Sequence, residues 1–198
     1  MLQNKKIGFA VTGSFCTFSE ILPVMEHLRG MGAELFPVFS YHTAQLDTRF
    51  FRAADFRRRV EEICGREVWD TLQQTEPIGP RHLLDLVVIA PCTGNSMAKL
   101  ACGIIDTPAL MAAKSQLRNG GPVVVAPASN DALTNSAKNI GALLNMKQVY
   151  LVPLRQDDVM HKPTSIIARM DLIPETAEKA LSGIQYQPLL MGWEGEST

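Results

Sequence analysis

The sequence predicts an α/β protein of three layers, a doubly wound parallel sheet covered by helices on both faces. The first observation behind this is a set of short apolar runs without polar alternation: Ile7 to Val11, Glu34 to Phe39, Leu86 to Ala90, Val123 to Ala126 and Gln148 to Val152. Strands with both faces covered read as continuous Val, Ile and Leu, whereas half-exposed strands alternate. The second is that helical patterns separate the runs, and an alternation of strands and helices of this kind builds a parallel sheet.

In chain order, Ile7 to Val11 opens the sheet, and Ser19 to Gly30 follows with Ile21, Leu22, Met25 and Leu28 at helical spacing. Gly30 and Gly32 punctuate its end. After Glu34 to Phe39 comes a long stretch, residues 42–80, which exceeds an ordinary crossover. It predicts a helix from Ala53 to Cys64 and another over Val68 to Gln73, and it suits either a lid or an oligomer contact. The later helices are predicted over Thr93 to Cys102, Pro108 to Leu117 and Asp131 to Leu144. One domain over residues 1–187 is expected, with a flexible tail over 188–198.

Composition narrows the function classes. The chain has 198 residues, 46% of them hydrophobic, and a net charge of −1. A nucleic-acid binder needs a concentrated basic face. Arg57, Arg58 and Arg59 form the basic candidate, but beside Glu61 and Glu62 they read as a solvated helix face. The four cysteines include no CxxC pair, which argues against a zinc site or a disulfide scaffold and for reduced thiols. No metal site is expected. No signal peptide and no membrane span are predicted, so the expected location is cytoplasmic.

Ligands of open parallel sheets sit beyond the carboxyl ends of the strands. Four turns fall there: Thr12-Gly13-Ser14, Ser40-Tyr41-His42, Pro91 to Ser96, and Pro127 to Asn130. All are rich in small hydroxyl and amide side chains. Thr12-Gly13-Ser14 opens a helix, where free amides suit a phosphate. It is neither the GxGxxG fingerprint nor a P-loop. Its plain alternative is capping chemistry by Ser14 or Ser19. Thr93, Gly94, Asn95 and Ser96 begin the next candidate helix, with Lys99 a turn later; the alternative is a capped helix with a solvated lysine. Ser129 and Asn130 follow another strand, and Asn130 suits an N-cap or a hydrogen bond to a ring. Thr12, Gly13, Ser14, Ser40, Thr93, Gly94, Asn95, Ser96, Ser129 and Asn130 are thus the candidate cofactor-binding residues.

The run from Pro91 to Asp106 resembles the Pro-Ala-Ser/Thr-Ala-Asn-Thr…Lys…Ala-x-Gly-Ile-x-Asp signature of the homo-oligomeric flavin-containing cysteine decarboxylases. The similarity extends from about Lys5 to Val152 and includes Val11-Thr12-Gly13-Ser14 and Pro127-Ala128-Ser129-Asn130. It implies a flavodoxin-like, Rossmann-like flavoprotein fold, FMN as cofactor, and a homo-oligomer such as a trimer. Two departures speak against decarboxylation. The family's catalytic His falls fourteen residues before Pro91, where this chain has Pro77, and the Met of its Pro-x-Met-Asn motif is Ser129 here.

One branch of the superfamily is more similar, through Ile78-Gly79-Pro80 and Asp47-Thr48-Arg49-Phe50. That resemblance implies one component of a two-component oxidoreductase. It would oxidise a dihydropyridine dicarboxylate together with a partner that binds NADP, in the mother cell of a sporulating bacterium. Such a dianion suits bidentate Arg forks. Arg49, Arg52 and Lys99 are the candidate substrate residues; for the arginines the alternative is that they are surface residues or pair with Asp47 and Asp55. Proton removal needs a base, for which His42 and His82 are the candidates, with His161 on a late loop as another. An FMN-dependent decarboxylase and a non-catalytic scaffold protein with the same fold are the competing readings.

Overall fold

The computed structural model describes residues 2–192. Its seven-stranded sheet has the order β2-β1-β3-β4-β7-β6, with β5 pairing β4 off this path. The first four strands are β1 (Lys6–Val11), β2 (Glu34–Phe39), β3 (Leu86–Thr93) and β4 (Val123–Ser129), all mutually parallel, as the unbroken apolar runs require. β5 (Val149–Leu151) pairs in parallel with Val123 to Val125, the first half of β4.

The sheet is mixed. β6 (Leu154–Asp158) and β7 (Lys162–Ala168) form an antiparallel hairpin, and Ile166 and Ile167 of β7 pair antiparallel with the second half of β4 at Ser129 and Ala128. The hairpin extends the expected parallel sheet and replaces the late loop expected around His161. The physical reason is exposure: Arg155, Asp157, Lys162 and Pro163 face solvent, so the hairpin lacks the two-sided apolar signal that marks the other strands.

Helices cover both faces. On one side α1 (Phe18–Gly30), α3 (Ala53–Cys64) and α8 (Ile173–Leu181) pack on the sheet and one another. On the other lie α4 (Leu72–Thr75), α5 (Gly94–Ala101), α6 (Pro108–Arg118) and α7 (Ala137–Leu144). A short helix, α2 (Tyr41–Gln45), follows β2. Among the described residues no helix is long and apolar enough to cross a membrane.

The stretch over 42–80 is built mostly into the body of the fold. Phe56 of α3 is buried and stacks with Phe18 of α1 at 4.2 Å and with Phe39 of β2 at 5.4 Å between ring centroids. Aromatic pairs at such spacing stabilise beyond their buried area. α3 ends at Gly65, whose φ of 64° supplies the left-handed cap. The arginine run is taken up by surface pairs: Arg57 with Asp70 and Glu61, Arg58 with Asp55, Arg59 with Glu26. The helix expected over Val68 to Gln73 is shorter and later. Trp69 instead bridges Val38 along the outer edge of β2, exchanging backbone hydrogen bonds with Pro37 and Phe39, and Thr71 and Gln74 form a capping box that starts α4 at Leu72.

The helix expected from Asp131 also starts later. Asp131 C=O accepts from the N–H groups of Thr134 and Ser136, which closes residues 131–136 into turns before α7. The tail expected from residue 188 lies partly outside the described residues. Within them Leu189 C=O and Met191 N–H both bond Leu154, alongside β6.

Candidate functional site

The site begins with a strut. Thr12, at the end of β1 and 1% exposed, donates its hydroxyl to Pro91 C=O at 2.8 Å and accepts from Thr93 N–H at 3.0 Å. It locks the turn after β1 to the carboxyl end of β3. Thr93 then caps α5, its Oγ1 accepting from Ser96 N–H at 3.2 Å, and its hydroxyl donates to Ser96 Oγ at 3.0 Å. Gly94 brings α5 against β4. A Cβ there would stand 2.5 Å from Ser129 Oγ, closer than real atoms approach, and a tight 3.1 Å from both Asp131 Oδ1 and Ser136 Oγ.

These contacts frame a cleft of about 650 Å³ beyond the carboxyl ends of β1, β3 and β4. Gly13, Ser14, Thr93, Gly94, Asn95, Ser129 and Asn130 all line it, so seven of the predicted cofactor residues meet on one surface. Three do not. Thr12 is the buried strut described above. Ser40 is 7% exposed and caps α2, accepting from Thr43 N–H at 3.4 Å and pairing with the Thr43 hydroxyl at 3.0 Å. Ser96 is likewise buried, and its hydroxyl is held by Thr93. Only Ser40 of the three is itself a helix cap; Thr12 braces two strand ends and Ser96 is bound by the Thr93 cap.

The candidate bases separate. His42 stands at the rim, its Cβ 3.5 Å from where a Cβ on Gly13 would be. His82 lies in the connection before β3, at the opposite end of an eight-residue strand, roughly 25 Å away at normal strand rise. The structure does not bring His82 to the cleft. His161 caps the exposed end of the hairpin, paired with Asp158 at 3.0 Å. No histidine lines the cleft among the described residues, and Pro77 sits in a short 3-10 turn packed beside α6.

Of the substrate candidates, Lys99 pairs within the chain. It donates to Asp106 at 2.6 Å, and it follows Ala98, which lines the cleft; one residue turns a helix by about 100°. Arg49 and Arg52 stay exposed near the rim. The Arg49 guanidinium lies 4.8 Å from the ring centre of Phe50, which lines the cleft. Both are surface residues, as the alternative has it, although neither pairs with those aspartates: Asp47 accepts from Ala53 N–H at 2.9 Å at the start of α3, and Asp55 takes Arg58.

Sequence reasoning missed one wall. Asp131, Ser136, Asp157 and Ser165 line the cleft together with Ile166 and Ile167 of β7. Asp131 Oδ1 accepts from Ser129 Oγ at 2.6 Å and Ser136 Oγ at 2.9 Å; these hydroxyls hold its carboxyl below the usual range. Asp157 is offset by Lys162 at 2.8 Å. Cys16 also lines the cleft and is exposed. Among the described residues no group of metal-ligating side chains gathers.

A doubly wound sheet with a donor-lined cleft at its strand ends defines a class of ligand-binding α/β protein, and the chain belongs to the Flavoprotein family, whose model matches residues 1–177. It is 44% identical over 190 residues to the B subunit of dipicolinate synthase from Bacillus subtilis (strain 168), covering 96% of this chain and 95% of that one. The crystal structure of the dipicolinate synthase B subunit from Bacillus halodurans superposes with a TM-score of 0.89 at 43% identity, over 96% of this chain and 98% of that one. The FMN-dependent cysteine decarboxylase SpaF shares the fold, with a TM-score of 0.70 at 20% identity over 92% and 99% of the two chains.

Proposed function

We propose that this chain works as the B subunit of a dipicolinate synthase and that its cleft holds FMN. The observation that carries the reading is the convergence of Gly13, Ser14, Thr93, Gly94, Asn95, Ser129 and Asn130 on one cleft, in a chain 44% identical to such a protein. The donor set fits a flavin phosphate. The first N–H groups of α5 have no intrahelical partner, Ser14 adds a hydroxyl, and the volume lies within the range of cofactor sites.

The reaction removes two hydrogens from dihydrodipicolinate: a hydride passes to NADP carried by the A subunit of dipicolinate synthase, and a proton is released. When bound, FMN supplies a ring that exchanges electron pairs. The chain's own residues orient and bind. Gly13 and Ser14 hold the phosphate end, Arg49 and Arg52 hold the substrate carboxylates at the rim, and His42, beside Gly13, takes the proton. The working assembly is a homo-oligomer, a trimer or a multiple of it, in the cytoplasm of the mother cell during sporulation. A decarboxylase role gains no support, since Pro77 stands in place of the family's histidine and away from the cleft.

The test is reconstitution. Mixing the purified chain with the A subunit, dihydrodipicolinate and NADP is expected to give NADPH formation that neither protein gives alone, and the purified chain is expected to show flavin absorbance. If the A subunit is fully active without this chain, the proposed role is refuted. A colourless chain that still complements its partner would refute the flavin and leave the role standing.

A further inference from the structure

Asp131 sits in the cleft wall with a charge that no Lys or Arg offsets among the described residues. Ser129 and Ser136 both donate to its Oδ1. Two neutral hydroxyls fix the carboxylate in place without cancelling its charge, and they stabilise the ionised form. Its position is set from the other side as well: a Cβ on Gly94, in the first turn of α5, would be 3.1 Å from Oδ1. Asp157, on the same wall, differs because Lys162 neutralises it.

We infer that Asp131 is a specificity-determining residue that reserves the β4 wall of the cleft for an N–H-bearing ring edge and turns the dicarboxylate substrate away to the Arg49–Arg52 rim. The inference rests on the reading of the cleft as a flavin site. A flavin ring presents an N–H between two carbonyls, and a fixed carboxylate is a strong acceptor for it. A pyridine dicarboxylate presents a carboxylate on each side of its ring nitrogen. Any approach of that edge to Asp131 brings like charges together in a partly desolvated cleft. One residue thereby separates where cofactor and substrate go.

The experiment uses the full chain and its Asp131→Asn variant, which keeps an oxygen for both serine hydroxyls and removes the charge. Binding of FMN, N3-methyl-FMN and dipicolinate is measured by flavin fluorescence and calorimetry at low salt. The unaltered protein is expected to favour FMN over the N3-methyl analogue by about ten-fold, the worth of one charge-assisted hydrogen bond. Its bound FMN is expected to resist displacement by dipicolinate. Asp131→Asn is expected to lose that preference and to bind dipicolinate about ten-fold more tightly, now in competition with FMN. Equal dipicolinate affinity in the two proteins overturns the inference. If the unaltered protein takes no FMN at all, the flavin reading fails, while the dipicolinate comparison still decides whether Asp131 bars anions. Should the Asn variant melt early, Asp131→Ser serves the same comparison.

Discussion

At the scale of single residues, the strut at Thr12 matters more for the site's shape than for its contacts. Its hydroxyl both donates to Pro91 C=O and accepts from Thr93 N–H in a fully buried setting. Thr12→Val keeps the volume and strands both partners. It is expected to cost about 1–3 kcal/mol, the desolvation penalty of orphaned polar groups, read from urea unfolding, and to weaken ligand binding with the turn it releases. The cysteines divide in the same physical way. Burial pushes the Cys64 thiol up to about 12 and raises Cys92 as well, whereas Cys16 and Cys102 are exposed. Because the thiolate is the reactive form, iodoacetamide at neutral pH is expected to label Cys16 and Cys102 rapidly and the other two only after denaturation; mass mapping of the modified peptides checks this.

At the scale of elements, legibility follows burial on two faces. Runs such as Leu86 to Ala90 and Val123 to Ala126 announce their strands because every residue in them is covered. The turns at their ends are legible too, since small hydroxyl and amide residues cluster there for capping and ligand binding alike. That double use is also why Ser40 and Ser96 read as cofactor contacts although Ser40 is a helix cap and Ser96 is bound by the Thr93 cap: both roles ask for the same side chains, and only the folded structure tells which atom is already engaged. The β6–β7 hairpin escapes because Arg155, Gln156, Asp157 and Asp158 carry no apolar stripe. With it goes the wall that holds Asp157 and Ser165, and Asp131 hides in what reads as a helix start. The stretch at α3 is legible as a helix but not as part of the core, since its contacts with Phe18 and Phe39 come from distant elements. Phe56→Ala is expected to cost about 3–5 kcal/mol, the range for emptying a buried aromatic site, and to free the 42–80 stretch; hydrogen exchange of the α3 amides checks the second part.

At the scale of the whole molecule, acid stability follows from a few carboxylates. Asp131 is held low by Ser129 and Ser136, Asp158 by the backbone and ring of His161, and Asp171 by Arg169. Each has a folded value below its unfolded one. Their stabilisation is therefore complete above the ordinary Asp range of about 4 and is lost as pH falls through the folded values. The melting temperature is expected to drop steeply below about pH 4, and less steeply in Asp131→Asn; parallel slopes in that acid range would show that Asp131 contributes nothing to it.

The junction at β4 has an outcome for how such a molecule diversifies. One edge of this strand is shared in sequence by two neighbours: β5 runs beside Val123 to Val125, and β7 returns only at Ala128 and Ser129. The half that joins β5 belongs to the inner set of apolar strands, while the half that joins β7 reaches the cleft through Ile166, Ile167 and Ser165. Replacement or lengthening of the hairpin thus edits the binding surface through two residue pairs and leaves the inner strands untouched. The same scaffold can acquire a new preference for its guest by exchanging a single peripheral ribbon.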